Sequence, residues 1–228
     1  MATLRRRFPI LVAAIALGCG LTSTVTAHAA AAAAPAIAGY GAYPGVYTSG
    51  SAAWIQPLTV CTSPTSSVSF WVGLDGAISP TAEQIGTEVI CTAGVPAYHA
   101  WYDMFPAPPV ILPFPVGPGD RISASVVYTA VNTFTLTITD LTRGWTSTTV
   151  KSAAAARSSA EILVEGPGAA GSLADFGTVT FTNCLIDGAP LAAADPHATN
   201  MVSGSGVLQA LTSPLLTPES FEVTWKHA

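Results

Sequence analysis

Four runs of this chain change character at every second residue, which is the mark of a β-strand with one buried face. In FWVGLDG, residues Phe70, Val72 and Leu74 share one side, against Trp71, Gly73 and Asp75. In AEQIGTEV the apolar side carries Ile85 and Val89, and Gln84, Gly86 and Glu88 point the other way. HAWYDMF separates Tyr102 and Met104 from Trp101, Asp103 and Phe105, and AEILVE separates Ile162 and Val164 from Glu161, Leu163 and Glu165. Further short β-type runs are punctuated by Gly, Pro, Asn and Asp, and no stretch keeps a helical period. The pattern predicts strands over 52–61, 67–75, 82–90, 98–105, 121–130, 133–140, 144–151, 159–165, 174–183, 200–208 and 219–226. Many short strands at close spacing predict an all-β, antiparallel two-sheet β-sandwich. The proline-rich stretch FPAPPVILPFPVGPGD reads as a long loop or a sheet edge, because proline has no N–H for a ladder.

If the four runs belong to one sheet, its second face gathers Trp71, Asp75, Gln84, Glu88, Asp103, Glu161 and Glu165 with no Lys or Arg among them. Like charges in proximity disfavour full ionisation, so carboxyl pKa values there should rise. Two readings fit that face: a functional cleft, and a wet outer surface that happens to carry acids.

Composition narrows the choice. Charged residues make up 9% of the 228, and hydrophobic residues 50%, which argues for a packed domain with a neutral, hydroxyl-rich surface rather than disorder. The first 30 residues have a basic start (Arg5, Arg6, Arg7), a short apolar run and small residues around Ala27-His28-Ala29, the layout of a secretory signal peptide. The expected division is signal peptide 1–30, flexible segment 31–50 and a single sandwich domain 51–228. Without the first 30 residues, five basic residues face thirteen acidic ones, a formal charge of −8. No basic cluster remains to bind nucleic acid, and no membrane association is expected once the signal is removed. So few Lys and Arg would leave little self-repulsion when the carboxyls are protonated, which suits an acidic medium. In an exported chain Cys61 and Cys91, which flank one strand-rich stretch, are expected to pair and leave Cys184 buried and free. The Cys and His spacings match no metal site, so neither a metal nor a cofactor is expected.

The runs FWVGLDG, TAEQIGTE, AWYDMFP, GDRISASV and SAEILVE resemble, in order and spacing, the motifs of the glutamic peptidases, or eqolisins. The likeness extends from about Trp54 through QPLTVC to ADFGTVTFTNC and the C-terminal FEVTW, most of the chain beyond the signal. It implies a secreted, monomeric, acid-acting endopeptidase of the bacterial type, a β-sandwich of the concanavalin A-like or jelly-roll kind, acting on proteins or peptides. By the same resemblance Gln84 and Glu165 are the catalytic pair, and Glu161, Trp71 and Asp75 support them. Glu88, Trp101, Asp103 and Phe105 complete the expected site. Asp103 stands where the family shows Glu and Phe105 where it shows Tyr, so the likeness implies the fold more firmly than the side-chain preference.

The residue types suit the chemistry. A carboxylate at Glu165 can take a proton from an attacking water and return it to the leaving amine. The Gln84 amide can donate to the developing oxyanion, and being neutral it does so at low pH as well. The competing class is a carbohydrate-binding module or glycoside hydrolase, since aromatic and acidic faces also suit sugars; a family member with a decayed site is a third reading. Glu161 and Glu165 are poorly spaced as a glycosidase pair, because four residues of strand span about 13 Å and such pairs need roughly 5 to 9.5 Å, although Glu88 or Asp103 could substitute for one of them.

Overall fold

The computed structural model describes residues 36–167 and 171–228; the expected signal peptide lies outside them. The first half contributes β1 (Ile37–Ala42), β2 (Ser49–Ile55), β3 (Ser67–Leu74), β4 (Ala82–Thr92), β5 (Val95–Phe105), β6 (Val110–Pro115), β7 (Arg121–Ala130) and β8 (Thr133–Asp140). The second half adds β9 (Trp145–Ser152), β10 (Ala160–Glu165), β11 (Thr178–Ile186), β12 (Ala189–Pro190), β13 (His197–Thr199), β14 (Met201–Val202), β15 (Leu208–Thr212) and β16 (Phe221–Trp225). The described helical content is one 3-10 turn, Leu191–Ala194, and no described helix is long and apolar enough to cross a membrane.

Two antiparallel sheets form the expected sandwich. One has the order β13-β1-β10-β3-β4-β5-β6; the other runs β14-β15-β16-β11-β2-β7-β8-β9, with β12 paired to β11. The apolar phases read from the sequence meet between them. Phe70, Val72, Leu74, Ile85, Val89, Ile162 and Val164 of the first sheet share one core with Val126, Phe134, Leu136, Ile138, Phe181 and Phe221 of the second. An aromatic edge knits the layers where Tyr40 of the first sheet meets Phe221 of the second at 4.8 Å between ring centroids, and within the second sheet Trp54 packs on its neighbour Phe181 at 5.7 Å. Cores of this kind supply most of the folding energy, at about 25 cal/mol per Å² of apolar surface removed from water.

Several boundaries move, each for a local reason. The segment 31–50, expected to be flexible, contains β1, which lies inside the seven-stranded sheet with Ala38, Tyr40 and Ala42 buried. The domain therefore begins ahead of residue 51. The strand expected over 52–61 is Ser49–Ile55: Pro57 cannot extend the ladder, and Gln56 N–H turns to Asp120 O at 2.8 Å. The run 200–208 is two strands, Met201–Val202 and Leu208–Thr212, because a turn intervenes in which Gly206 N–H bonds Ser203 O. The proline-rich stretch supplies β6 at the sheet edge.

Cys61 and Cys91 form a disulfide with Cα atoms 5.8 Å apart, tying the segment before β3 to the end of β4, and Cys184 is buried and free. Closing a loop of this size stabilises a domain by about 2–4 kcal/mol. The Cys61→Ser, Cys91→Ser double variant should lose that amount in equilibrium denaturation. An unchanged midpoint would show that the cross-link adds nothing to the fold.

Candidate active site

Antiparallel pairing sets three rows of residues across the face of the seven-stranded sheet that turns away from the core. One row runs Ile37, Glu165, Ser69, Glu88, His99. The next is Gly39, Leu163, Trp71, Gly86, Trp101, and the third Gly41, Glu161, Gly73, Gln84, Asp103. Of the expected site residues, Trp71, Gln84, Glu88, Trp101, Asp103, Glu161 and Glu165 thus come to one face, as their alternation required, and Asp75 does not. Trp71, Trp101 and Leu163 pack into an apolar patch of their own, separate from the main core.

Two glycines make this arrangement possible. A β-carbon at Gly86 would stand 2.7 Å from Trp71 Cβ and collide with the Phe70 carbonyl, so only glycine lets β3 and the Trp71 side chain approach so closely. At Gly73 a β-carbon would lie 2.9 Å from Gln84 Cγ; its absence lets the glutamine side chain lean over β3.

Over these rows lies a hollow of about 570 Å³ lined by Gln84, Glu88, Trp101, Asp103, Phe105 and Glu165, with Ser67, Ser69, Ala82 and Pro109 among the remainder. Gln84 and Glu165 are two strands and two rows apart, so they reach the hollow from either side of the Trp71 row. The Trp71 indole N–H donates to Glu165 Oε2 at 2.9 Å. Burial pushes the Glu165 carboxyl above its usual range; that hydrogen bond pulls it down and the charge of Asp103 pushes it up. Burial likewise raises Glu88 and Asp103.

Glu161 and Asp75 lie elsewhere. Glu161 faces Gln84 directly across Gly73, but it is 3% exposed and does not line the hollow. One carboxyl oxygen accepts the Ala77 N–H at 3.3 Å and the other is enclosed without a partner. Asp75, fully buried, accepts from Arg157 N–H, Ser158 N–H and Ser158 O–H at 2.6 to 2.8 Å, and so anchors the approach to β10. Both are buried and neither lines the hollow.

Sequence reasoning left Glu83 out. It shares the phase of Ile85 and Val89 and is wholly buried on the core side, with neither carboxyl oxygen hydrogen-bonded. Its signal was present in the alternation: an acid standing where an apolar residue belongs. Burial, then the charge of Asp75, pushes Glu83 up to about 8. Glu161 is also pushed up to about 8, chiefly by burial and further by Asp75 and Glu83, against the opposing pull of the nearby Ser159 hydroxyl and the Ala77 N–H.

The match to known proteins follows these motifs. Residues 36–225 match the Peptidase A4 family. The chain belongs to that family. Aspergillopepsin-2 of Aspergillus niger is 34% identical over 124 residues, covering 50% of this chain and 44% of that protein, so the matched stretch spans less than half the relative's length. The fold of scytalido-glutamic peptidase, solved with a transition state analog inhibitor, superposes with a TM-score of 0.74 at 20% identity over 86% of this chain and 100% of that one. Aspergilloglutamic peptidase from Aspergillus niger gives 0.61 at 27% identity over 70% and 99%. These likenesses agree with the glutamic peptidase motifs and with the two-sheet sandwich.

The buried acids make the Peptidase A4 fold here pH-sensitive in a definite direction. Glu83 and Glu161 sit near 8 in the folded chain against 4.5 for a free glutamate, so the native state holds their protons more tightly than the unfolded state. Their contribution to stability is complete below about pH 4.5 and is lost as pH rises through about 8. The melting temperature should fall across that window, and fall less in Glu83→Gln, whose amide cannot ionise. An equal fall in both proteins would place the loss elsewhere.

Proposed function

We propose that the protein is a secreted, monomeric endopeptidase that hydrolyses peptide bonds in acid, with Glu165 as general base and Gln84 as oxyanion donor. The observation that carries this reading is that both side chains line one hollow. A substrate carbonyl held there meets the Gln84 amide, and a water meets Glu165. The carboxylate takes the water's proton as its oxygen attacks, charge collects on the carbonyl oxygen against the amide NH₂, and the same proton passes to the departing nitrogen. Trp71 orients Glu165 and keeps one of its oxygens from wandering.

Two acids compete for the base, and burial favours Glu165. Glu161, held near 8, stays protonated across the acid range and has no free oxygen turned to the hollow. Its role is to fix Ala77 and the floor beneath Gln84. Asp103 raises Glu165 through its charge, which makes the ionised carboxylate a stronger base toward the attacking water.

Purified mature protein should digest denatured casein or haemoglobin between about pH 2 and 7. Glu165→Gln and Gln84→Ala should each lower the rate by about 10² to 10³ or more. Rate should rise as pH climbs through the elevated Glu165 carboxyl and fall again as Glu83 and Glu161 ionise. No digestion by the parent, or equal digestion by parent and Glu165→Gln, would remove the proposal.

A further inference from the structure

The hollow is chemically two-ended. Along β4 its lining runs from Ala82 through Gln84 to Glu88, seven residues spanning about 20 Å of strand. An extended peptide of roughly six residues matches that length. Beyond Gln84 the walls are Ala82, Pro109 and Phe105, a residue 52% exposed whose ring has no hydroxyl. Toward the other end the lining is Ser67, Ser69 and Glu88 beside Glu165.

Glu88 makes no ion pair with any described residue. Every ion pair among the described residues belongs to Arg143, and no Lys or Arg lines the hollow. The groups facing Glu88 are His99, its register partner on β5, Glu165 across Ser69, and Asp103 on the hollow's wall. A half-buried carboxylate without a partner gains most from an incoming donor with positive charge. A second group also awaits a ligand: Trp101 lines the hollow at 6% exposure, and its indole N–H has no described acceptor. Peptide carbonyls would supply one.

Resting on the peptidase reading, we infer that Glu88 is a specificity-determining residue: it selects a basic side chain within two residues of the scissile bond, while Ala82, Phe105 and Pro109 select an apolar side chain on the other side. Substrates of this class are unfolded segments in which a Lys or Arg and a large apolar residue straddle the cleaved bond. The selection carries its own pH signature. Glu88 ionises above the usual glutamate range because it is buried, so discrimination in favour of a cation should strengthen as the medium becomes less acidic.

The test uses quenched peptides that differ only in carrying Lys or norleucine at each position within two residues of the cleaved bond. At one position the Lys to norleucine ratio of kcat/KM should reach about three- to tenfold near pH 6. That ratio should shrink toward one near pH 3 and in about 1 M salt. In Glu88→Gln it should be near one at every pH, and Glu88→Asp should restore part of it. A parent ratio near one everywhere, or an undiminished ratio in Glu88→Gln, would overturn the inference and leave the peptidase reading standing. The parent's pH and salt dependence decide the matter by themselves should the variant not fold. Failure to hydrolyse any of the peptides would overturn both readings.

Discussion

The register of four neighbouring strands, β10, β3, β4 and β5, governs the rest of the structure. Side chains alternate between faces, so one phase of these strands builds the core and the other builds the hollow. A slip of a single residue would send Trp71, Gln84 and Glu165 into the sandwich and expel Phe70, Ile85 and Val164 into water. Burying that apolar phase is therefore what holds the polar phase in place. Gly73 and Gly86 refine the same constraint, since a methyl group at either position would push Gln84 or Trp71 from its row. Position comes from the core, and chemistry comes from its reverse side.

Acids without cations are the second theme. Asp75 spends its oxygens on the backbone of residues 157 and 158, while Glu83 and Glu161 keep oxygens that no described group satisfies. In a neutral medium such groups would strain the fold, because an unpaired buried charge is expensive. When protonated they are merely polar, and the cost falls. The chain's shortage of Lys and Arg fits this picture: counterions inside the protein are dispensable where solvent protons do their work.

Much of this was legible beforehand because β-alternation is a physical rule with period two. Phe70, Val72, Leu74, Ile85, Val89, Ile162 and Val164 all face the core as their phase required, and the motif spacing led to the family. Alternation gives the face but not the row. Nothing in the sequence alone says that Glu161, not Glu165, stands directly across from Gln84, or that Asp75 faces inward to the loop before β10. Strand β1, IAGYGA, escaped notice because small residues carry little pattern, although its neighbours bury it. Glu83 escaped for the opposite reason: a charged residue looked too polar to be assigned to the core.

Strand β6 closes the seven-stranded sheet, and two of its six residues, Pro113 and Pro115, have no amide hydrogen to offer. A sheet rim is where a second chain can add itself and start a fibril. That danger is greatest when protonation has stripped a protein of its repulsive charge, which is the state this composition favours. Proline at this rim interrupts the ladder a stray strand would need, a guard set by covalent geometry that does not depend on like-charge repulsion.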